Sequence, residues 1–278
     1  MGKVIFFILL LSSVTTFGNN LKFEKVFIIL LENTNYQYAL NQPFLAALAK
    51  RGAILSNYSA ITHPSYPNYL ALTTGSTQGK VADNVSVINA RHIGDLLEAK
   101  GKSWKNYAEN YPGGCYLSNQ GRFVARHVPF LSFADVRTNS AYCDSHIVDA
   151  SELETDLQNG SLPTYSFYSP NLDNDGHDTN VAFASVWMER VFTSFLANPK
   201  FTDGLLFVVT FDEGSFLSRK NRVLTILYGD SVIPGSRSAT HFNHFSLLRT
   251  IEDTLNLGTL GLGDKTAAPI TGIWNGIP

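Results

Sequence analysis

The 278-residue sequence has little cysteine, no dominant charge of either sign, no linker-like segment and no apolar run long enough to cross a membrane. Its two cysteines, Cys115 and Cys143, allow at most one disulfide. An oxidising compartment permits that local staple, and two unpaired core thiols are the alternative, because spacing alone does not bring two Cα atoms within bridging distance. Twenty-one basic against 23 acidic residues give a net charge of -2 without a basic stripe. Such a surface does not neutralise a run of phosphates, so nucleic acid is excluded as a binding partner, though small fragments remain conceivable substrates. With no Pro/Gly/Ser-rich linker, charge block or internal repeat, nothing divides the chain. One domain over residues 19–278 is expected, and a 44% hydrophobic composition gives it ample core.

The one marked apolar stretch lies at the start, where Lys3 precedes Val4 to Leu11 and a polar run follows with small residues near Thr16 and Gly18. It falls far short of the roughly 20 residues that span a bilayer. The pattern is that of a secretory signal peptide over residues 1–18, so the mature chain is expected to be secreted or lumenal, without a stable membrane anchor. Asn57, Asn84 and Asn159 each open an Asn-x-Ser sequon that a glycosylating host can use.

Residues 25–31, KVFIILL, form a continuous apolar run of strand length that turns polar at Glu32-Asn33. The pattern returns at Tyr165 to Tyr168 before Pro170-Asn171, at Leu205 to Phe211 before Asp212-Glu213-Gly214, and at Val223 to Tyr228 before Gly229-Asp230. Helical spacing occupies Phe44 to Ala49, Asn68 to Leu72, Ile93 to Ala99, Val181 to Leu196 and Phe245 to Leu255. Such alternation predicts an α/β fold, a doubly wound, mostly parallel sheet with helices on both faces. Ligands bind beyond the carboxyl ends of strands in that architecture, where these polar residues fall. Residues 110–150 show no period and are expected to form long loops or a cap that shapes substrate access.

Four groups of residues can carry chemistry. Ser65 stands near a helix start with Pro67 in the first turn, where free amides favour an anion such as phosphate; a simple helix cap is the plainer reading. Asp173-Asn174-Asp175-Gly176-His177-Asp178 follows a strand and can aim an oxygen and a nitrogen ligand at one cation, or be a solvated turn. Asp212-Glu213 ends a strand too apolar to be exposed, so the pair needs a cation or a salt-bridge partner. His241 and His244 precede the last long helix, and His244, which opens it, is the better site candidate. Together they suit phosphoryl transfer, in which a hydroxyl attacks and a divalent cation neutralises the phosphate oxygens.

Five segments, in order, resemble a known family: the strand ending in Glu32-Asn33, HPSYPNYLAL around Ser65, NLDNDGHD, VVTFDEG, and HFSLLRTIED beginning at His244. They are similar to the phosphoesterase family of acid phosphatases and phosphocholine-type phospholipases C, within the wider alkaline-phosphatase-like superfamily and its doubly wound α/β fold. The resemblance implies Ser65 as nucleophile, with Glu32, Asn33, Asp212 and Glu213 sharing the metal that activates it. Asp173 and His177 match a second metal position, completed by His244 or His241, and His177 or His244 protonates the leaving oxygen where not tied to metal. Substrate contacts are implied for His63, Asn68, Asn84 and His241, with Asp83 as an alternative to Asn84. Glu213 stands where two-zinc relatives carry His, so one or two divalent ions fit, whether zinc, calcium or magnesium.

The implied activity is a metal-dependent phosphomonoesterase of acid-phosphatase type, acting on a small phosphate ester through a phosphoserine intermediate. A phospholipase C-like diesterase recognising a lipid head group is second, and a secreted binding protein of the same fold without catalysis is third. A sulfatase-like site is disfavoured, since Ser65-Tyr66-Pro67-Asn68-Tyr69 lacks the Arg of that motif.

Overall fold

A computed structural model describes residues 23–276 of the chain; the expected signal peptide, residues 1–18, lies outside the described residues. Ten strands form: β1 Lys25–Leu31, β2 Ala53–Leu55, β3 Tyr58–Ser59, β4 Trp104–Ala108, β5 Ile147–Asp149, β6 Tyr165–Ser169, β7 Leu205–Phe211, β8 Ile226–Tyr228, β9 Arg237–Ser238 and β10 Phe242–Asn243. The helices are α1 Tyr36–Leu40, α2 Pro43–Arg51, α3 Ser65–Thr74, α4 Ile93–Glu98, α5 Ala134–Arg137, α6 Ser140–His146, α7 Glu152–Asn159, α8 Val181–Leu196, α9 Pro199–Thr202, α10 His244–Thr254 and α11 Gly263–Thr266. Eight strands make one sheet in the order β5-β4-β6-β1-β7-β8-β2-β9, while β3 and β10 pair separately.

The unbroken apolar runs become the centre of this sheet because strands covered on both faces have no side that can be polar. Strand β1 lies parallel between β6 and β7, with Ile28 opposite Phe167 and Phe27 opposite Phe207. Alternation then separates two cores. Phe27 meets Phe192 of α8 and Phe201 of α9 at ring-centroid distances of 5.8 and 5.3 Å. Phe167, on the face of Ile28, meets Tyr69 of α3 at 6.4 Å. Helices therefore cover both faces of an α/β sheet. Since β6, β1 and β7 run in the same direction side by side, their carboxyl ends open at one edge.

Two expectations need correction. The run Val223 to Tyr228 gives only the three-residue β8, and it is antiparallel to both β7 and β2. Gly229-Asp230 consequently lie at the sheet edge opposite Asp212-Glu213. Residues 110–150 are not plain loops: they contain two 3-10 turns, Ala125–His127 and Pro129–Ser132, together with α5, α6 and β5. Elements of three to seven residues are too short to print a period on the sequence. Cys115 and Cys143 staple this region as a disulfide, with Cα atoms 5.6 Å apart.

Candidate active site

Each strand end at that edge delivers an acid. Glu32 follows β1, Asp212 follows β7, and Asp175 lies in the turn after β6; all three are at most 1% exposed. Asp175 is tied to the sheet because its carbonyl accepts the amide of Glu32 at 3.0 Å. Asn33 takes a left-handed conformation, φ 44°, and that bend aims its amide at Asp212 Oδ1, 3.1 Å away. Asn33 Nδ2 donates to Glu32 Oε2 at 3.0 Å.

Ser65 is the first residue of α3, and the N-cap position falls on Pro64. The Ser65 hydroxyl donates to Glu32 Oε2 at 3.1 Å. One turn on, the Tyr69 hydroxyl donates to Glu32 Oε1 at 2.6 Å. Asn68, expected to touch substrate, is fully buried and ties down the loop before α3. Its Oδ1 accepts the amides of Ile61 and Thr62, and its Nδ2 donates to the carbonyls of Thr62 and Pro64. That bracing fixes where Ser65 enters the helix.

His127, in the first 3-10 turn, escaped the sequence reading. Its ring stacks on Tyr69 with centroids 5.1 Å apart and sits between two acids, Nδ1 3.1 Å from Asp175 Oδ2 and Nε2 3.2 Å from Glu32 Oε1. Burial holds its pKa well below the ordinary value, so the imidazole is neutral and can donate to only one of the two acids. Glu32 is pushed well above the usual range by burial, then by the charges of Asp212 and Asp175. Burial likewise raises Asp175 and Asp212, the latter countered in part by the Ser65 hydroxyl. Asp212 Oδ2 and His127 Nε2 have no hydrogen-bond partner.

Convergent acids, one hydroxyl and an imidazole with orphaned atoms form a donor set that fits a divalent cation. Glu32, His127 and Asp175 bring ligand atoms within 4.8 Å of one another. Glu213 faces outward from this group: its Oε2 meets His63 Nδ1 at 2.6 Å, and burial followed by the charge of Asp212 pushes its pKa up to about 8.

The remaining expected residues sort by distance from this centre. Asp173 is drawn off by Arg122, 3.0 Å from the guanidinium, so Asp175 occupies the inward position that sequence alone could not single out. His177 stays at the margin, its ring 6.1 Å from that of His127 and its Nδ1 2.7 Å from Asp178. His244, expected as a ligand or acid, is fully buried. Tyr58 donates to its Nδ1 at 3.0 Å and its Nε2 donates to the Asp212 carbonyl at 2.8 Å, while burial lowers its pKa to about 4. Both ring nitrogens are thus hydrogen-bonded, and Nε2 braces Asp212. His241 is exposed and meets only Ser59, at 2.9 Å, outside the cluster. Asn84 is exposed, as are Asn57 and Asn159. Its neighbour Asp83 accepts the Tyr66 amide at 2.9 Å, on the first turn of α3.

The chain is similar in sequence and fold to known proteins. A Kluyveromyces lactis protein described as a probable acid phosphatase is 38% identical over 259 residues, covering 88% of this chain and 61% of the relative. A Mycobacterium tuberculosis phosphatidylinositol-3-phosphatase is 34% identical over 255 residues, covering 89% of this chain and 82% of the relative. The chain therefore spans about six-tenths of the fungal relative's length. A crystal structure of a Vibrio parahaemolyticus protein in the alkaline phosphatase superfamily shares the fold, with TM-score 0.63 at 14% identity, over 92% of this chain and 72% of the other. The model of the phosphoesterase family matches residues 32–258, from the first acid of the site to beyond α10, and the chain belongs to that family.

Proposed function

We propose that this protein is a secreted phosphomonoesterase that hydrolyses small phosphate esters through a phosphoserine at Ser65. The observation that carries the reading is the Ser65 hydroxyl, at the start of a ten-residue helix and bonded to an acid inside a buried carboxylate cluster. Relatives named as phosphatases support phosphate monoesters over diesters.

Ser65 Oγ donates to Glu32 Oε2, so the hydroxyl proton has an acceptor and a lone pair is free to face phosphorus. In the first step the Oγ–P bond forms, the P–O bond to the leaving group breaks, and the leaving oxygen takes a proton. His177, at the rim of the cluster, is the proposed donor. In the second step water attacks phosphorus and gives its proton to His177, the Oγ–P bond breaks, and Ser65 regains its own proton from Glu32 as phosphate leaves. His244 and Asn33 hold Asp212 through its carbonyl and its Oδ1, respectively. Asn68 keeps the loop before Ser65 in register.

Glu32, Asp175, His127 and Asp212, joined by Asn33 and Ser65 at the edges, would hold the divalent ion. It supplies neutralisation of the phosphate oxygens and a lower hydroxyl pKa. The acid-rich set suits calcium or magnesium, and its single imidazole also admits zinc.

Ser65→Ala assayed on 4-nitrophenyl phosphate is expected to lose at least about a thousandfold in kcat. Full activity in that variant would remove Ser65 from the mechanism. Trapping of a phosphorylated protein in wild type and not in the variant tests the intermediate directly.

A further inference from the structure

The chain leaving β7 forms a loop, residues 214–222, whose ends are clasped and whose tip is bare. Gly214 donates its amide to Asn221 Oδ1 at 2.7 Å, and Asn221 Nδ2 donates to the Thr62 carbonyl at 2.7 Å. Asn35 grips Ser215 twice, Nδ2 to the hydroxyl at 2.7 Å and Oδ1 from the amide at 3.1 Å. Arg222 lies over the Tyr36 ring, 3.8 Å from its centroid. Between these clasps Phe216 and Leu217 stand 80% and 89% exposed, the Phe216 ring lying edge-on to His63 at 5.9 Å between centroids. A braced loop that holds two adjacent bulky apolar side chains in water presents them to something.

The charge beside the tip says what. Arg219, Lys220 and Arg222 line a cleft of about 440 Å³ against Asn35 and Gln37, with no acid in its wall. The ion pairs of Lys and Arg among the described residues involve Lys105, Arg122 and Arg249, which leaves Arg219 and Lys220 unpaired. On a chain of net charge -2 this cationic patch is local. An apolar tip flanked by unpaired cations matches the interface of an anionic bilayer, acyl boundary for the tip and phosphates for the cations.

We propose that residues 214–222 dock the protein reversibly on anionic phospholipid surfaces, the cleft receiving a lipid phosphate. Because Gly214 directly follows Glu213, docking sets the mouth of the site against the membrane plane. The consequence that esters displayed on a membrane are substrates rests on the phosphomonoesterase reading; the docking itself does not.

Co-sedimentation of the protein with vesicles of phosphatidylcholine, with and without a one-third share of phosphatidylserine, tests this, with 4-nitrophenyl phosphate turnover read on the same preparation. Wild type is expected to favour the phosphatidylserine vesicles and to be released by salt. Leu217→Ser is expected to lower the partition coefficient about tenfold. Arg219→Gln and Lys220→Gln lower it about fivefold each. All three side chains lie outside the core, so unchanged melting temperatures verify folding. Hydrolysis without vesicle binding, or equal binding by wild type and variants, overturns the docking and leaves the activity standing. Vesicle binding without hydrolysis overturns the activity and leaves the docking. Self-association that Leu217→Ser abolishes, in the absence of vesicle binding, gives the tip to a second copy of this chain and overturns the proposal.

Discussion

Acids are buried in two regions of this protein and are handled in opposite ways. At the corner of α10 and α11, Asp264 is fully buried and accepts three backbone amides, from Leu260, Gly261 and Leu262, at 2.7 to 3.2 Å. Beside it Glu252, equally buried, has no hydrogen bond to either carboxyl oxygen. Burial, then the charge of Asp264, raises its pKa to about 9. One satisfied anion and one neutral acid make a stable solution. At the strand ends, Glu32, Asp175 and Asp212 face a hydroxyl, a neutral imidazole and one another. The contrast shows that an orphaned buried carboxyl is not in itself a site: a single proton quiets Glu252. Three acids on adjacent strands, with Ser65 and His127 among them, call for a multivalent partner.

The sharpest way to break the comparison is to remove the satisfied anion. Asp264→Ala orphans three amides and withdraws the support beneath Gly75, which ends α3 at φ 72° against the Asp264 carboxylate. Charge-assisted bonds of this kind contribute about 1.5 kcal/mol or more each, so a loss of roughly 4 kcal/mol is expected in urea unfolding. A loss under about 1 kcal/mol would mean that water replaces the carboxylate at no cost.

Next in size is the neutral acid. With a folded pKa near 9 against an ordinary 4.5, the native state keeps a proton that the unfolded chain releases between those values. Stability from Glu252 is thus present at low pH and falls as pH rises through that window. Glu252→Gln mimics the protonated form, so it is expected to match wild type near pH 4 and to exceed it by a few kcal/mol at pH 8. Parallel pH profiles for the two proteins would show that Glu252 is ionised in the fold.

What the sequence could show of these regions depended on pattern. Strands β1 and β7 are all but completely buried and print as unbroken apolar runs, so the acids that end them stood out at once. Asp175 did not, because three acids share its turn. What separates it from Asp173 is three-dimensional: Gly176 at φ 96° bends the turn, and Asn171 Oδ1 accepts the amides of Asp173 and Asn174 while Arg122 draws the Asp173 carboxylate outward. His127 lay in a segment without period, and its place beside Arg126 within the otherwise apolar stretch Phe123 to Leu131 was its only trace. His244 was visible as a helix opener, but nothing in its spacing could reveal that Tyr58 and the Asp212 carbonyl occupy both ring nitrogens. Residues 214–222 present the reverse case, for Phe216 and Leu217 read as ordinary apolar residues until their exposure is known.

The smallest expected effect is also the most discriminating, because its sign reverses between the two regions. Burial first, and the charge of Asp175 after it, raises the pKa of Asp212, whose own charge raises that of Glu32; only its Oδ1 is bonded, to the Asn33 amide. In cation-free protein Asp212→Asn keeps that acceptor, removes one repelling charge and turns the orphaned Oδ2 into a donor facing acids. A gain of about 1 kcal/mol is expected rather than a loss, limited because partial protonation already relieves part of the repulsion. Adding a divalent cation at about a hundred times its dissociation constant should then stabilise wild type and Glu252→Gln by about 2.7 kcal/mol and leave Asp212→Asn nearly unmoved. Thermal melts of the three proteins with and without calcium, magnesium or zinc read both effects. Equal stabilisation of wild type and Asp212→Asn would mean that the ion binds elsewhere, and the strand-end acids, like Glu252, would then be neutralised by protons alone.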